Sequence, residues 1–174
     1  MLRALRVLLC MLVVTPVCAQ EYPYRPIRII APNPPGGGFD LIARVVAQKL
    51  GEQLSQQVVV ENRSGAGTLV GTEAAAKSTA DGYTLLVGGL SNIAANAGLY
   101  KKLPYDPLAD FVPVSMVASY SYSLVSRRDL PQQNLRELID FARANPGKLT
   151  YASGGVGTGQ HIAAAAKPSA PSCV

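Results

Sequence analysis

The chain of 174 residues carries a formal net charge of +5, and 48% of its residues are hydrophobic, so it is long and apolar enough to bury a core. This charge is mild and gives no sign of the basic stripe with stacking aromatics that is typical of nucleic-acid binding. We therefore expect no nucleic-acid partner.

Residues 1–19 have the layout of a secretory signal. Two arginines precede an apolar core at residues 7–14, which is too short to span a bilayer, and small residues reach the cleavage position at Ala19. We predict cleavage after Ala19. A lipoprotein alternative requires cleavage before Cys18, where bulky Val17 is disfavoured. Since no later stretch approaches the roughly 20 apolar residues of a transmembrane helix, we do not expect the mature chain to span a membrane.

After this signal, short β-rich runs alternate with helical patterns, which is typical of βαβ units with a parallel sheet. A strand at residues 26–31 leads through a glycine-rich loop to a helix that Asp40 caps and that runs to about Leu54. The apolar residues predicted to share one face of this helix are Leu41, Ile42, Val45, Val46 and Leu50.

The next elements complete a first α/β lobe at residues 20–103. They are a strand at residues 58–60, a turn at 62–67, a helix through 72–77, a strand at 83–87 and a short helix at 94–99.

The segment at residues 103–107 is stiffened by two prolines, and we interpret it as the crossing into a second α/β lobe that starts within residues 104–162. Asn134, with Glu137 in capping-box spacing, opens a helix that ends at Asn145-Pro146-Gly147. Further strands are predicted at residues 112–118, 122–125 and 149–152, a turn at 153–159, and a helix from about His161. Residues 163–174 form a divergent tail, whose two prolines and lack of apolar periodicity predict disorder.

Glycine-rich turns precede three of the predicted helices, at residues 36–38, 65–67 and 154–159. In an open parallel sheet such turns lie at the carboxyl ends of the strands, where ligands bind, and free N–H groups at a helix start attract anions. The hydroxyls of Thr68, Ser91, Ser153 and Thr158 lie in or beside such positions. The alternative is that these glycines only connect strands to helices.

Three common enzymatic motifs are absent from the sequence. The glycines at residues 65–71 do not fit GxGxxG, no Walker A motif occurs, and no GxSxG elbow accompanies Ser153 and His161. His161 is either a cap or packing residue or a ligand-binding residue. With Cys173 the only cysteine after cleavage, neither a disulfide nor a zinc site can form within the chain. We expect no catalysis, no cofactor and no metal.

Residues 22–32, followed by Gly36-Gly37-Gly38-Phe39-Asp40 and Ala43-Arg44, resemble the opening of the Bug (TctC-like) family. Members of this family are periplasmic substrate-binding components of tripartite tricarboxylate transporters. The resemblance continues in order through residues 60–63, 65–67, 80–86, 99–107, 110–114, 145–151 and 157–161, so that it spans about residues 22–162.

The resemblance implies a periplasmic-binding-protein-like α/β fold, with two parallel-sheet lobes flanked by helices. It also implies that the lobes close on a small organic carboxylate and deliver it to membrane transporter subunits. The ligand-binding residues it implies, together with the nearby hydroxyl of Ser91, are Pro35, Gly36, Gly37, Gly38, Asp40, Gly67, Thr68, Ser91, Ser153, Gly154, Thr158 and His161.

The sequence departs from the family pattern in two places. Ala94 stands where a histidine is often found, and residues 163–174 abandon the pattern where family members continue. We therefore expect the second lobe to be incomplete through truncation. The alternative to a carboxylate-binding protein is then a truncated remnant with little or no ligand binding, and an α/β enzyme is less favoured still.

Mass spectrometry of the secreted chain is expected to find Gln20 as the new N-terminus, because the small residues before it fit signal cleavage. A chain that retains Met1, or one that begins with a lipid-modified Cys18, would contradict this prediction.

Overall fold

The computed structural model describes residues 21–165, so the predicted signal and residues 166–174 of the predicted tail lie outside the described residues. It contains three strands and five α-helices, with one 3₁₀ turn and one π-helical segment among them. In chain order these are β1 (Ile27–Ala31), α1 (Gly38–Leu54), β2 (Val58–Asn62), a 3₁₀ turn (Ala66–Thr68), α2 (Leu69–Ala76), β3 (Thr84–Leu86), a π-helical segment (Leu90–Ala95), α3 (Asn96–Leu99), α4 (Leu135–Ala144) and α5 (Gly159–Ala165).

The three strands form one parallel sheet in the order β2-β1-β3. Ile29 of the central strand lies opposite Val60 on one side and Leu85 on the other. Because all three strands run the same way, the turns that follow them meet at one edge of the sheet, which is called the carboxyl edge below. The predicted α/β class with a parallel sheet is confirmed.

The core lies on both faces of β1. Ile29 and Ala31 pack with the buried residues of α1 on one face. Ile30 points to the opposite face and is completely buried. A central parallel strand covered on both faces must be apolar throughout, which explains its nearly continuous hydrophobic sequence.

The predicted end of α1 at Leu54 is confirmed, but its predicted cap is wrong, and the predicted apolar face is buried only in part, with Val46 packed against the core. Gly37 occupies the cap position, and the helix begins at Gly38 rather than after Asp40. Leu41 and Val45 are exposed to solvent. The helix instead buries Phe39, Ala43 and Ala47, because two alanines without bulky side chains allow the helix to lie close to the sheet.

Other boundaries in the first half move by a few residues. β2 continues to Asn62, two residues past its predicted end, and β3 is shorter than predicted. α2 begins at Leu69, before the predicted start. The predicted helix at residues 94–99 starts earlier, as the π-helical segment that leads into α3.

The strands predicted at residues 112–118 and 122–125 do not form in the described structure. At residues 149–152 only Tyr151 makes a single bridge. A β-prone run becomes a strand only when a neighbouring strand pairs with its backbone, and residues 104–165 form no second sheet. Apolar side chains such as Val112, Val114 and Met116 are consequently left exposed.

The cap of α4 is as predicted. The Asn134 side chain accepts a hydrogen bond from the Glu137 N–H at 3.0 Å, and the Glu137 carboxylate accepts from the Gln133 N–H at 2.8 Å. α5 continues through Ala165, three residues into the segment assigned to the tail. No helix within residues 21–165 is both long enough and apolar enough to cross a membrane.

Ile30→Ala is expected to lower the free energy of unfolding by about 2–5 kcal/mol, because it opens a cavity beneath the completely buried central strand. Leu108→Ala is the control: Leu108 is 90% exposed, and its truncation is expected to change stability by less than about 0.5 kcal/mol. Urea unfolding followed by circular dichroism measures both values. Equal effects of the two substitutions would contradict the placement of the core on β1.

Candidate functional site

The turn between β1 and α1 carries the first predicted site residues. Gly36 has a φ of 83°, in the left-handed region that favours glycine. Two of the N–H groups here are already engaged within the chain: Gly36 donates to Asp40 Oδ2 at 2.8 Å, and Gly37 donates to the carbonyl of Pro34 at 3.2 Å. The N–H groups of Gly38 and Phe39 find no acceptor among the described residues, as expected in the first turn of a helix. With the N–H of Asp40, for which no acceptor is found among the described residues either, these groups are the anion donors that the turn offers.

Asp40 is buried and holds this turn in place. Its carboxylate accepts hydrogen bonds from the N–H of Gly36, from Arg44 Nε at 3.1 Å and from Asn62 Nδ2 at 2.9 Å. The hydrogen bond from Arg44, followed by those from Gly36 and Asn62, lowers the pKa of Asp40 from 3.8 to about 2. The structure thus gives Asp40 a positioning role, since its carboxylate is occupied by groups of the chain itself.

The turn after β2 is a run of left-handed residues. Ala66, Gly67 and Thr68 have φ values of 44°, 60° and 83°. Next to this run, a Cβ added at Gly71 would lie 2.5 Å from the carbonyl oxygen of Arg63 and 2.8 Å from Pro32 Cα. Because Gly71 has no side chain, α2 lies close to Pro32, and the turn after β2 therefore packs against the turn after β1.

The segment after β3 contributes buried polar groups that the sequence prediction missed, apart from Ser91. Ser91, Asn92 and Asn96 are all buried. Asn96 Nδ2 donates to the Tyr105 hydroxyl at 3.1 Å and to Thr68 Oγ1 at 3.4 Å. The Tyr105 hydroxyl donates to the Asn92 carbonyl at 2.6 Å. Asparagines in an otherwise apolar run could have signalled a buried network, but the sequence does not show which of them is buried.

The turn at residues 153–158 packs against the second turn. A Cβ on Gly67 would collide with the carbonyl oxygen of Val156. Within the turn, Thr158 Oγ1 donates to the Gly155 carbonyl at 2.7 Å, and Ser153 Oγ accepts from the Gly155 N–H at 3.4 Å. Both hydroxyls therefore shape the turn in this structure. Gly154 lies beside Thr158, with a Cβ added there 3.4 Å from Thr158 Cγ2.

His161 lies in the first turns of α5. Its N–H reaches Thr158 Oγ1 at 3.4 Å, and its ring lies 6.4 Å from that of Tyr151. Nδ1 is buried and has no partner among the described residues. Packing and ligand binding both stay open for this side chain.

Tyr122, which the sequence prediction did not select, lies at the start of α5. A Cβ on Gly159 would collide with its hydroxyl. Burial and the neighbouring Tyr120 hydroxyl raise the pKa of Tyr122 to about 12, so the phenol stays neutral.

The structure thus joins the predicted residues through a chain of contacts along the carboxyl edge. The turn of Pro35 and Gly38 contacts the segment that contains Ser91, because the ring of Phe39 packs against Gly89. A Cβ added at Gly89 would lie only 2.8 Å from Phe39 Cε1. The turn of Gly67 and Thr68 meets residues 153–158. Their role in ligand binding stays a prediction.

A groove of about 490 Å³ opens at the opposite edge of the sheet, beside Arg25, Arg28 and Lys77. Each of these cations has an acidic partner: Asp81 at 2.5 Å, Glu61 at 3.2 Å and Glu73, respectively. Because the charges are balanced, this groove is a weaker anion site than the carboxyl edge.

Comparisons with known proteins agree with this fold. The family model described as "Tripartite tricarboxylate transporter family receptor" matches residues 42–170. The protein BugT of Bordetella pertussis is 45% identical over 151 residues, which are 86% of this chain and 46% of that protein. A solved periplasmic transporter superposes with a TM-score of 0.73 at 34% identity, covering 87% of this chain and 53% of that one. R. palustris Rpa4515, solved with adipate, gives 0.67 at 32% identity, with coverage of 79% and 46%. The chain thus spans about half the length of these relatives.

Asp40→Asn is expected to destabilise the protein at neutral pH, because it removes a charge that three donors hold. Since the folded pKa is lowered, the stabilisation by Asp40 is complete above the ordinary value of 3.8 and is lost as the pH falls through about 2. Urea unfolding at several pH values should therefore show a gap between wild type and variant that narrows from pH 4 to pH 2. Asp140→Asn, on an exposed face of α4, is the control; a gap that does not depend on pH would refute the ionised network.

Proposed function

Because the chain belongs to the tripartite tricarboxylate transporter receptor family, we propose that it captures a small organic carboxylate at the carboxyl edge of its sheet. The solute would be bound outside the cytoplasm and passed to membrane subunits of a tripartite tricarboxylate transporter. The chain covers about half of its relatives, so this role is proposed for the protein as a whole.

The unengaged N–H groups of Gly38 and Phe39 carry the proposal. They lie at the start of a helix of 17 residues, where the positive end of the helix dipole adds to the attraction for an anion. Gly38 is exposed, so its N–H can be reached from solvent. A carboxylate has two oxygens and can accept from both groups at once.

The nearby negative charge of Asp40 does not prevent such binding. Arg44 Nε lies 3.0 Å from Asp40 Oδ1, so an arginine accompanies the acid. The Gly36 N–H donates its hydrogen bond to Asp40 Oδ2 and is therefore not free to bind the ligand. The turn therefore keeps its shape without using the two donors that point along the helix axis.

The compartment and the partner are inferred from the family and from the predicted signal. A relative with 32% identity is solved with adipate, a dicarboxylate, which supports the ligand class. Delivery to a transporter is supported by the description of the family. Among the described residues no nucleophile with an oriented base is found near His161, which favours binding over catalysis.

A second candidate is a chain that folds but binds carboxylates only weakly. It is favoured by the lack of a second sheet within residues 104–165, because a solute held from one side stays in water, where charge interactions amount to only about 1 kcal/mol at contact. Titration into the millimolar range separates the two candidates.

Gly38→Pro tests the proposal directly. Proline removes the N–H donor but suits the first helical position, and Gly37 already has the extended conformation required before proline, with φ −78° and ψ 167°. A hydrogen bond to a charged group contributes about 1.5–3 kcal/mol, so the affinity for succinate or adipate should fall about tenfold or more. Amide chemical shifts in a nuclear magnetic resonance titration of the full chain measure it.

Gly38→Ala is the matched control, because it keeps the N–H and its Cβ meets open space. It should bind as the wild type does. If proline and alanine have the same effect, the Gly38 N–H is not a ligand donor; if the wild type binds no small carboxylate, the proposed function itself is wrong.

A further inference from the structure

Arg44 carries a positive charge near the carboxyl edge of the sheet, and the fold uses only part of its guanidinium group. Nε donates to Asp40 Oδ2 at 3.1 Å, and Nη2 donates to Asn62 Oδ1 at 3.4 Å. Nη1 and the second hydrogen of Nη2 have no acceptor among the described residues. The side chain is 56% exposed, so solvent reaches the guanidinium from the side that the fold does not use.

The unused donors form one flat edge of the guanidinium. Its five N–H groups lie in one plane, and Asp40 and Asn62 accept at the edge between Nε and Nη2. These two acceptors lie side by side, because Asn62 Nδ2 itself donates to Asp40 Oδ1 at 2.9 Å. The edge between Nη1 and Nη2 is therefore left over. It presents two parallel N–H groups, the arrangement that a carboxylate accepts with both of its oxygens.

The guanidinium lies beside the turn that offers the backbone donors. Asp40 Oδ2 accepts from Arg44 Nε at 3.1 Å and from the Gly36 N–H at 2.8 Å, so these two nitrogens lie at most 5.9 Å apart. Asn62, which holds Nη2, donates through Nδ2 to the carbonyl of Asn33 in the same turn. Both contacts place the free edge of Arg44 close to the turn after β1.

We infer that this free edge of Arg44 binds the second carboxylate of a dicarboxylate whose first carboxylate is held by the N–H groups of Gly38 and Phe39. The inference rests on the proposed carboxylate binding and adds a residue that distinguishes two acidic groups from one. One guanidinium can serve the buried carboxylate of Asp40 and a ligand carboxylate together, because each uses a different edge. A monocarboxylate leaves the free edge in water and gains nothing from it.

Acids with equal numbers of carbon atoms test this anchor: succinate against butyrate, and adipate against hexanoate. Nuclear magnetic resonance titrations of the full chain at about 0.15 M salt, which screens long-range attraction, measure the four affinities. In at least one pair the dicarboxylate is expected to bind about tenfold more tightly than the monocarboxylate, because it adds charge-assisted hydrogen bonds at Arg44.

Arg44→Gln removes the charge and the free edge but keeps an N–H donor for Asp40, and it should bring this preference close to one. Arg143→Gln is the matched control, since it removes the same charge from α4, where the side chain is 60% exposed against 56% for Arg44. It should keep the wild-type preference. Arg44→Lys is the second variant: it keeps a cation for Asp40 without two parallel N–H groups, and it should also lose most of the preference.

The ratio of the two affinities separates recognition by Arg44 from a purely structural role. If Arg44 only held Asp40 and the turn in place, its substitution would weaken the binding of monocarboxylates and dicarboxylates alike and leave their ratio unchanged. Circular dichroism of each variant shows whether the fold is retained.

Two results would overturn the anchor: equal affinities within both pairs in the wild type, or a preference that survives Arg44→Lys or Arg44→Gln unchanged. If the wild type binds no carboxylate of either kind, the proposed function is wrong and the anchor falls with it. Binding of both kinds without discrimination leaves the proposed function standing and removes only the role of Arg44.

Discussion

A buried carboxylate must be surrounded by donors, and the donors of Asp40 come from three separate segments of the chain. Gly36 belongs to the turn after β1, Arg44 to α1 and Asn62 to the end of β2. Because the charge is stable in the interior only when all of these approach together, it fixes the entry of the helix relative to two strands. The direction of the Gly38 and Phe39 N–H groups then follows from that entry. The hydrogen bonds of Asp40, which point into the protein, thus determine the direction of the N–H groups at the candidate site.

The sequence predicted the elements whose signals are local. The apolar run of β1 and the cap of Asn134 on α4 depend on residues a few positions apart, and both appear in the structure. The buried face of α1 was predicted only in part, because small residues such as Ala43 and Ala47 pack closest to the sheet, and a hydrophobic pattern gives them little weight. The strands predicted at residues 112–125 failed because strand pairing is decided by distant residues.

In the candidate site, too, local features could be predicted from the sequence and contacts between distant residues could not. Glycines at turns before helices are visible in the sequence, and the structure gathers those turns at one edge. Which amide hydrogens are engaged within the chain, as at Gly36 and Gly37, depends on a side chain folding back over the turn. The network of Asn96, Tyr105 and Thr68 joins positions up to 37 residues apart, and no spacing rule predicts it.

The exposed run at residues 112–125 contains no charged residue, and its backbone groups find no backbone partner among residues 21–165. Such a run offers the same surface to any copy of the chain it meets, and pairing between two such runs needs no rearrangement of the sheet, of which they are not part. Encounters between copies grow with the square of the concentration, whereas folding of a single chain does not depend on it. Association through this run therefore depends on dilution as much as on the free energy of the core.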